Sequence, residues 1–271
     1  MNNLLHKYIL NLTILIYNID KKYNKISDIE TNKLTDYRYN IQEELNDAPG
    51  DIYYFRKLNN GLECAIIINH DIKSIITVFR GSDSIKDWIY NLCVFKKQLK
   101  DNAYVHYGVY KQLNPIKDIL LKEIISLSNK YPNYNLYITG HSLGGALSVL
   151  FGYYLSNTIT KNINIISFGS PRVGNLYFKK LFNSQINLEH IRFINNRDPV
   201  VSIPYFWYYH TGYKIDLNLK NSLKEKYNDN DNDNDNDNDN DNLLYFYNIR
   251  DHNIIRYHEK MNNYEKTYNN E

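Results

Sequence analysis

Residues 136–155 read LYITGHSLGGALSVLFGYYL, and the order of textures in this stretch decides the fold. Leu136 to Thr139 is short and apolar, as a buried strand is; Gly140 to Gly144 is a glycine-rich turn; Gly145 to Leu155 is nearly all apolar and long enough for a helix. A strand and a helix that are apolar on every side belong at the centre of a sheet covered by helices. Working outward, Asp51 to Phe55, Cys64 to Asn69 and Ser74 to Phe79 read as successive strands, the last two rich in β-branched residues. Residues 110–130 read as a helix with Leu113, Ile116, Leu120, Ile124 and Leu127 on one face and Pro115 near its start. Ile163 to Phe168 and Ile191 to Asn195 continue the strands, His210 to Leu217 reads as another, and Asp251 to Tyr264 as a closing helix. The alternation predicts an α/β protein with a central, mostly parallel sheet flanked by helices.

The turn itself is Gly140-His141-Ser142-Leu143-Gly144, a G-x-S-x-G pattern between a strand and a helix. A serine hydroxyl is a weak nucleophile at neutral pH, and a sharp turn between small residues lets it protrude to where a base can reach it. The same turn sets backbone N–H groups at a helix N-terminus, and Leu143 N–H is the expected donor to a developing oxyanion. By itself the pattern also fits an ordinary glycine turn.

Several further motifs stand in order along the chain. They are Val78-Phe79-Arg80-Gly81-Ser82, Asp87-Trp88, Val105-His106-Tyr107-Gly108, GHSLGGAL at 140–147, FGSPRVGN at 168–175, NNRDPVVSIP at 195–204 and Asp251-His252. In order and spacing they resemble the class 3 lipases, the fungal-lipase-like branch of the α/β-hydrolases. The resemblance implies an α/β-hydrolase fold with Ser142 as nucleophile, Asp198 as the acid that orients the base, and His252 as the base, in the chain order Ser…Asp…His. It implies Ser82, through its N–H and hydroxyl, as a second oxyanion donor beside Leu143. His258, six residues beyond His252, points in a different direction, and His106, His141 and His210 match family positions without assigned chemistry. Asp83 to Phe95 occupies the place of a short lid helix, where Ile85, Trp88, Ile89 and Leu92 follow i, i+3, i+4, i+7 spacing and form one apolar stripe. Lys86, Lys96, Lys97 and Lys100 flank it, either as a basic rim that suits anionic lipid or, more commonly, as ordinary solvated lysines.

The implied activity is serine-dependent hydrolysis of lipid acyl esters, triacylglycerol first and phospholipid or galactolipid esters second, with no metal or organic cofactor. The implied partner is a lipid ester at a lipid–water interface, with peripheral membrane contact. A catalytically inactive lipid-binding module on the same fold is the alternative from another class, and the full set of triad and oxyanion residues speaks against it, since binding needs neither.

Composition sets the outer limits. The 271 residues fit one domain over 1–271, interrupted by an alternating Asn-Asp run at 228–242 that has no apolar side chain to bury and reads as a disordered loop. Lys+Arg 32 against Asp+Glu 30 is too balanced for a nucleic-acid binder. Seven of the acids lie in the Asn-Asp run, so the remainder, with 23 acids, carries about +9. Two cysteines, Cys64 and Cys93, exclude a disulfide framework. The apolar stretch YILNLTILIY at 8–17 is too short for a transmembrane segment, lacks a signal-peptide cleavage site and reads as an amphipathic helix. On that basis a cytoplasmic location is slightly favoured over secretion, and the sequon Asn11-Leu12-Thr13 reads as accidental.

Overall fold

Strand β6 (Asn135–His141) lies in the middle of a seven-stranded sheet and runs directly into helix α3 (Leu143–Ser156), which is buried along almost its whole length. The computed structural model describes residues 3–29, 49–82, 95–195, 197–218 and 249–268. The remaining sheet strands are β1 (Asp51–Lys57), β2 (Glu63–Asn69), β3 (Ser74–Phe79), β7 (Ile163–Phe168), β8 (Leu188–Ile194) and β9 (Tyr213–Asp216). Their spatial order is β1-β2-β3-β6-β7-β8-β9. The first three pair antiparallel and every later pair is parallel. A separate hairpin joins β4 (Lys96–Lys100) to β5 (Ala103–His106). These observations give the α/β-hydrolase type of architecture, a mostly parallel sheet between helices.

Both faces of the sheet are covered, so β2 and β3 are buried continuously rather than in alternation. Successive residues still point to opposite faces. Cys64, Ile66 and Ile68 meet helices α2 (Tyr107–Lys130) and α3, with Leu120, Leu150 and Phe151 at the centre. Ala65 and Ile67 meet helices α1 (Asn3–Leu15) and α5 (Ile254–Tyr268), with Ile9, Leu12 and Tyr257.

Several local readings are corrected. Helix α1 is not amphipathic: Ile9 to Ile16 are all buried, and Thr13 Oγ1 shares a 3.0 Å hydrogen bond with Thr139 Oγ1 in β6. Asn11 is buried there too, which removes the sequon from the surface. Helix α2 begins three residues earlier than the apolar spacing shows, because His106 Nδ1 accepts the N–H groups of Gly108 and Val109 and caps it. Pro115 therefore sits two turns inside the helix. The hairpin and helix α4 (Leu176–Asn183) were not legible, and the closing helix is split: Ile249–His252 is a 3₁₀ turn and α5 follows it. The Asn-Asp run at 228–242, the stripe Ile85, Trp88, Ile89 and Leu92, and Cys93 lie outside the described residues. Cys64 is a buried free thiol whose pKa burial pushes up to about 12.

Candidate active site

Strand register brings the site together. Phe79 pairs with Gly140, His141 with Phe168, and Phe168 with Phe193, so β3, β6, β7 and β8 end level with one another. The segments that follow them, Arg80-Gly81-Ser82, Ser142, Gly169 and the run to Asp198, gather along one sheet edge, where ligands bind in open α/β sheets.

Ser142 occupies a conformation that L-residues rarely adopt, φ 58° and ψ −126°. The turn is that tight because its glycines touch backbone: a Cβ on Gly140 would strike the main chain of Gly144, and one on Gly144 would strike the carbonyl of Phe79. Ser142 N–H donates to Phe168 O at 3.0 Å and is thereby committed, and Leu143 follows it as the first residue of α3. Ser142 Oγ is buried and makes no hydrogen bond.

Asp198 and His252 are fully buried and joined by a 2.6 Å contact between Oδ2 and Nδ1. Asp198 Oδ1 accepts Val200 N–H at 2.8 Å, capping the turn Pro199–Ser202. Its Oδ2 also accepts the hydroxyl of Tyr257 at 2.6 Å, while that hydroxyl oxygen accepts Asn195 N–H at 3.2 Å. Burial, and then the Asp198 charge, hold the Tyr257 phenol well above its usual pKa, so it remains a donor. With Nδ1–H given to the carboxylate, His252 presents Nε2 as an acceptor, and this atom too is buried without a partner. Below the ring lies His141, with centroids 4.5 Å apart and its Nε2 2.7 Å from His252 O.

Ser82 is brought up by its neighbours. Arg80 donates its N–H to Glu63 O at 3.0 Å and pairs with Glu63 Oε1 at 2.5 Å, which anchors the end of β3. A Cβ on Gly81 would lie 2.8 Å from His141 O and 3.5 Å from Ser142 Cβ, so the Gly81-Ser82 backbone passes directly beside the serine turn. Among the sequence-predicted residues, then, Ser142, Leu143, Asp198, His252 and Ser82 share one edge of the sheet. The described residues contain no group of three or more His, Cys, Asp or Glu placed to hold a metal ion.

Sequence reasoning missed three supports: Tyr257, the stacking of His141 on His252, and Gly169. Gly169 has φ +56°, and a Cβ there would lie 2.9 Å from both Asp198 Oδ2 and the Tyr257 hydroxyl. The glycine in FGSP was a visible signal for a close approach, but nothing in the spacing pointed to Tyr257. His210 ties its loop through Nε2 to Val201 O at 2.7 Å, and His258 is buried on α5 with Nδ1 3.4 Å from Asn262 Nδ2.

The family model for lipase (class 3) matches residues 76–207, the span that holds the serine turn, Ser82 and Asp198. The chain is similar to the class 3 lipases. Two similar proteins are the secreted mono- and diacylglycerol lipase A of Penicillium cyclopium, 29% identical over 141 residues, and the secreted mono- and diacylglycerol lipase 1 of Fusarium solani, 28% identical over 155 residues. The matched stretches cover 51% and 56% of this chain and 46% of each relative, so the chain spans about half the length of the curated relatives it matches. The triacylglyceride lipase of Rhizomucor miehei superposes with a TM-score of 0.72 at 20% identity, covering 93% of this chain and 94% of that one, which establishes a shared fold. The slight preference for the cytoplasm is overturned, since both of these relatives are named secreted proteins. Among the described residues no helix is long and apolar enough to cross a membrane.

Proposed function

We propose that this chain is a serine-dependent hydrolase of lipid acyl esters, with triacylglycerol as its first substrate, acting through an acyl-enzyme on Ser142. One observation carries the proposal. A strained serine with an unsatisfied, buried Oγ stands at the sheet edge beside a histidine whose Nδ1 is held by a buried carboxylate and whose Nε2 is likewise unsatisfied. Buried polar atoms without partners are costly, and two at one site are those a substrate complex would use.

In this reading His252 Nε2 takes the Ser142 proton as Oγ attacks the ester carbonyl. The resulting oxyanion is met by Leu143 N–H and by Ser82, each donor typically worth about 3 kcal/mol in the transition state. His252 then protonates the departing alcohol, and water, deprotonated by the same nitrogen, releases the fatty acid. Asp198 holds the imidazole in the tautomer this requires. We read residues 1–271 as one hydrolase domain that meets its substrate at a lipid–water interface outside the cell. The names of the relatives, which specify lipases of glycerides and secretion, support the substrate class and the compartment.

The test is hydrolysis of short- and long-chain acyl esters, triacylglycerol and phospholipid by wild type and Ser142→Ala, together with labelling by a fluorophosphonate. Glyceride hydrolysis and labelling that both vanish in the variant are expected. A folded wild type that neither labels nor hydrolyses any ester would overturn the reading in favour of a binding module. Phospholipid cleavage without glyceride cleavage would replace the substrate.

A further inference from the structure

An aromatic surface stands on the same side of the molecule as the serine, on residues with no part in the chemistry above. The loop that leaves Asp198 turns outward at Tyr205-Phe206-Trp207, with Phe206 and Trp207 each 74% exposed and Tyr205 half-exposed. Phe95, at the entry to β4, is also 74% exposed. Large apolar side chains on a soluble surface are ordinarily scattered, and a group of them marks a contact.

The group is built rather than frayed. Tyr205 and Phe206 pack edge to face at 5.0 Å, and Arg172 both donates Nη1 to Tyr205 O at 3.0 Å and covers its ring. Lys96 Nζ lies 5.5 Å from the Trp207 ring centre and so joins the Phe95 end to the loop. Tyr209 N–H donates to Gly174 O at 2.7 Å and pins the loop's far end, with Lys179 over the Tyr209 ring. Trp207 has φ +66°, an unfavourable backbone for so large a residue, and it is maintained with the indole in solvent.

Charge completes the pattern. The three segments that frame the group, 95–100, 169–183 and 199–212, hold six lysines or arginines (Lys96, Lys97, Lys100, Arg172, Lys179, Lys180) and not one Asp or Glu. Segments 169–183 and 199–212 follow β7 and β8 at the ends where Ser142 and Asp198 lie, so this surface and the reactive serine occupy the same side of the molecule. Indole and phenol rings favour the headgroup boundary of lipid, and lysines and arginines beside them favour negative headgroups.

The geometry points to a fixed docking surface for anionic lipid, made of Phe95, Tyr205, Phe206 and Trp207 with Lys96 and Arg172, which seats the protein with its serine edge toward the lipid. The inference rests on the lipid-ester reading for its choice of partner. Its test does not depend on turnover.

Binding is measured with Ser142→Ala protein and vesicles of phosphatidylcholine, with and without about 30% phosphatidylglycerol. The expected result is binding that strengthens at least about tenfold with the anionic lipid, falls with salt, and is weakened at least about tenfold by adding Phe206→Ala and Trp207→Ala. Melting temperature checks that the variant is folded. A milder pair, Lys96→Gln with Arg172→Gln, is expected to remove the phosphatidylglycerol preference. The chain has two tryptophans, so in a Trp88→Phe background the emission of Trp207 is expected to shift to the blue on vesicle addition. Unchanged binding by the folded aromatic variant, or no vesicle binding by a protein whose wild type hydrolyses soluble esters, overturns the proposal. Loss of a dimer in place of loss of lipid binding overturns it in favour of a second copy of this chain. Vesicle binding in a protein without esterase activity would leave this surface standing and remove the enzymatic reading.

Discussion

His141 supports His252 from beneath: the two rings are 4.5 Å apart at 32°, and His141 Nε2 donates to the main-chain oxygen of the residue it stacks on at 2.7 Å. That donation puts the His141 proton on Nε2. Burial, and then the proximity of His252, hold its pKa well below 6.5, so the ring is neutral. The shelf under His252 is thus uncharged and adds no positive charge against the one that the proposed reaction places on His252. His141→Ala removes both the ring and the donor, and is expected to lower kcat about tenfold with little change in KM, and stability by about 1–2 kcal/mol, read by steady-state kinetics and thermal melts.

Backbone strain at Ser142 gives a separable effect. Glycine adopts φ 58° without the cost that a Cβ imposes. Ser142→Gly is expected to abolish hydrolysis and raise the melting temperature relative to Ser142→Ala, by about 1 kcal/mol of stability. Equal melting temperatures for the two inactive variants would show that the turn stores no strain.

Tyr257 donates to Asp198 Oδ2, the same carboxylate oxygen that His252 Nδ1 contacts, through a hydroxyl that also satisfies Asn195 N–H. Tyr257→Phe keeps the packing and deletes both bonds. A stability loss of about 1–3 kcal/mol is expected with a roughly tenfold fall in kcat. A variant that melts lower but turns over like wild type would reduce Tyr257 to a packing residue.

Gly169→Ala places a methyl 2.9 Å from Asp198 Oδ2 and 3.2 Å from His252 Cε1 at a positive φ. Displacing this pair by a fraction of an ångström is expected to cost activity about a hundredfold while the protein still folds. Retained activity would mean that the carboxylate and imidazole can shift together without harm.

Stability should depend on pH through two buried histidines, His141 and His190, and the half-buried His210. Burial holds His141, His190 and His210 well below 6.5, whereas in the unfolded chain each protonates near 6.5. Below that pH the unfolded state binds more protons, so the stability these residues contribute is whole above 6.5 and is lost as pH falls toward the folded values. Each contributes a slope of up to about 1.4 kcal/mol per pH unit. Denaturant titrations at pH about 7.5 and 5.5 should differ accordingly, and a His190→Gln variant should show a smaller difference. Identical midpoints at the two pH values would contradict this account.

The legibility of the chain follows the range of the interactions. Strands β2, β3, β6 and β7 and helix α3 were readable because strand and helix periods, β-branched runs and the glycines of the turn are local properties. Helix α1 was misjudged, since residues 9–16 are covered on all sides by the sheet and α5, a burial that no local pattern reveals. Helix α2 started early because one histidine side chain outweighed the apolar spacing.

By itself the sequence determined the α/β class and the serine turn, because Gly140 and Gly144 allow a backbone approach that any side chain would block. The family resemblance named Ser82, Asp198 and His252, and tertiary structure alone decided the contacts they make around that turn. The Asp198 contacts to His252 and Tyr257 close loops of 54 and 59 residues, and the Gly81-Ser82 backbone reaches Ser142 only through the pairing of Phe79 with Gly140. Such contacts depend on strand order and register, which are set by the packing of the whole sheet and leave no mark at the spacing of a local motif.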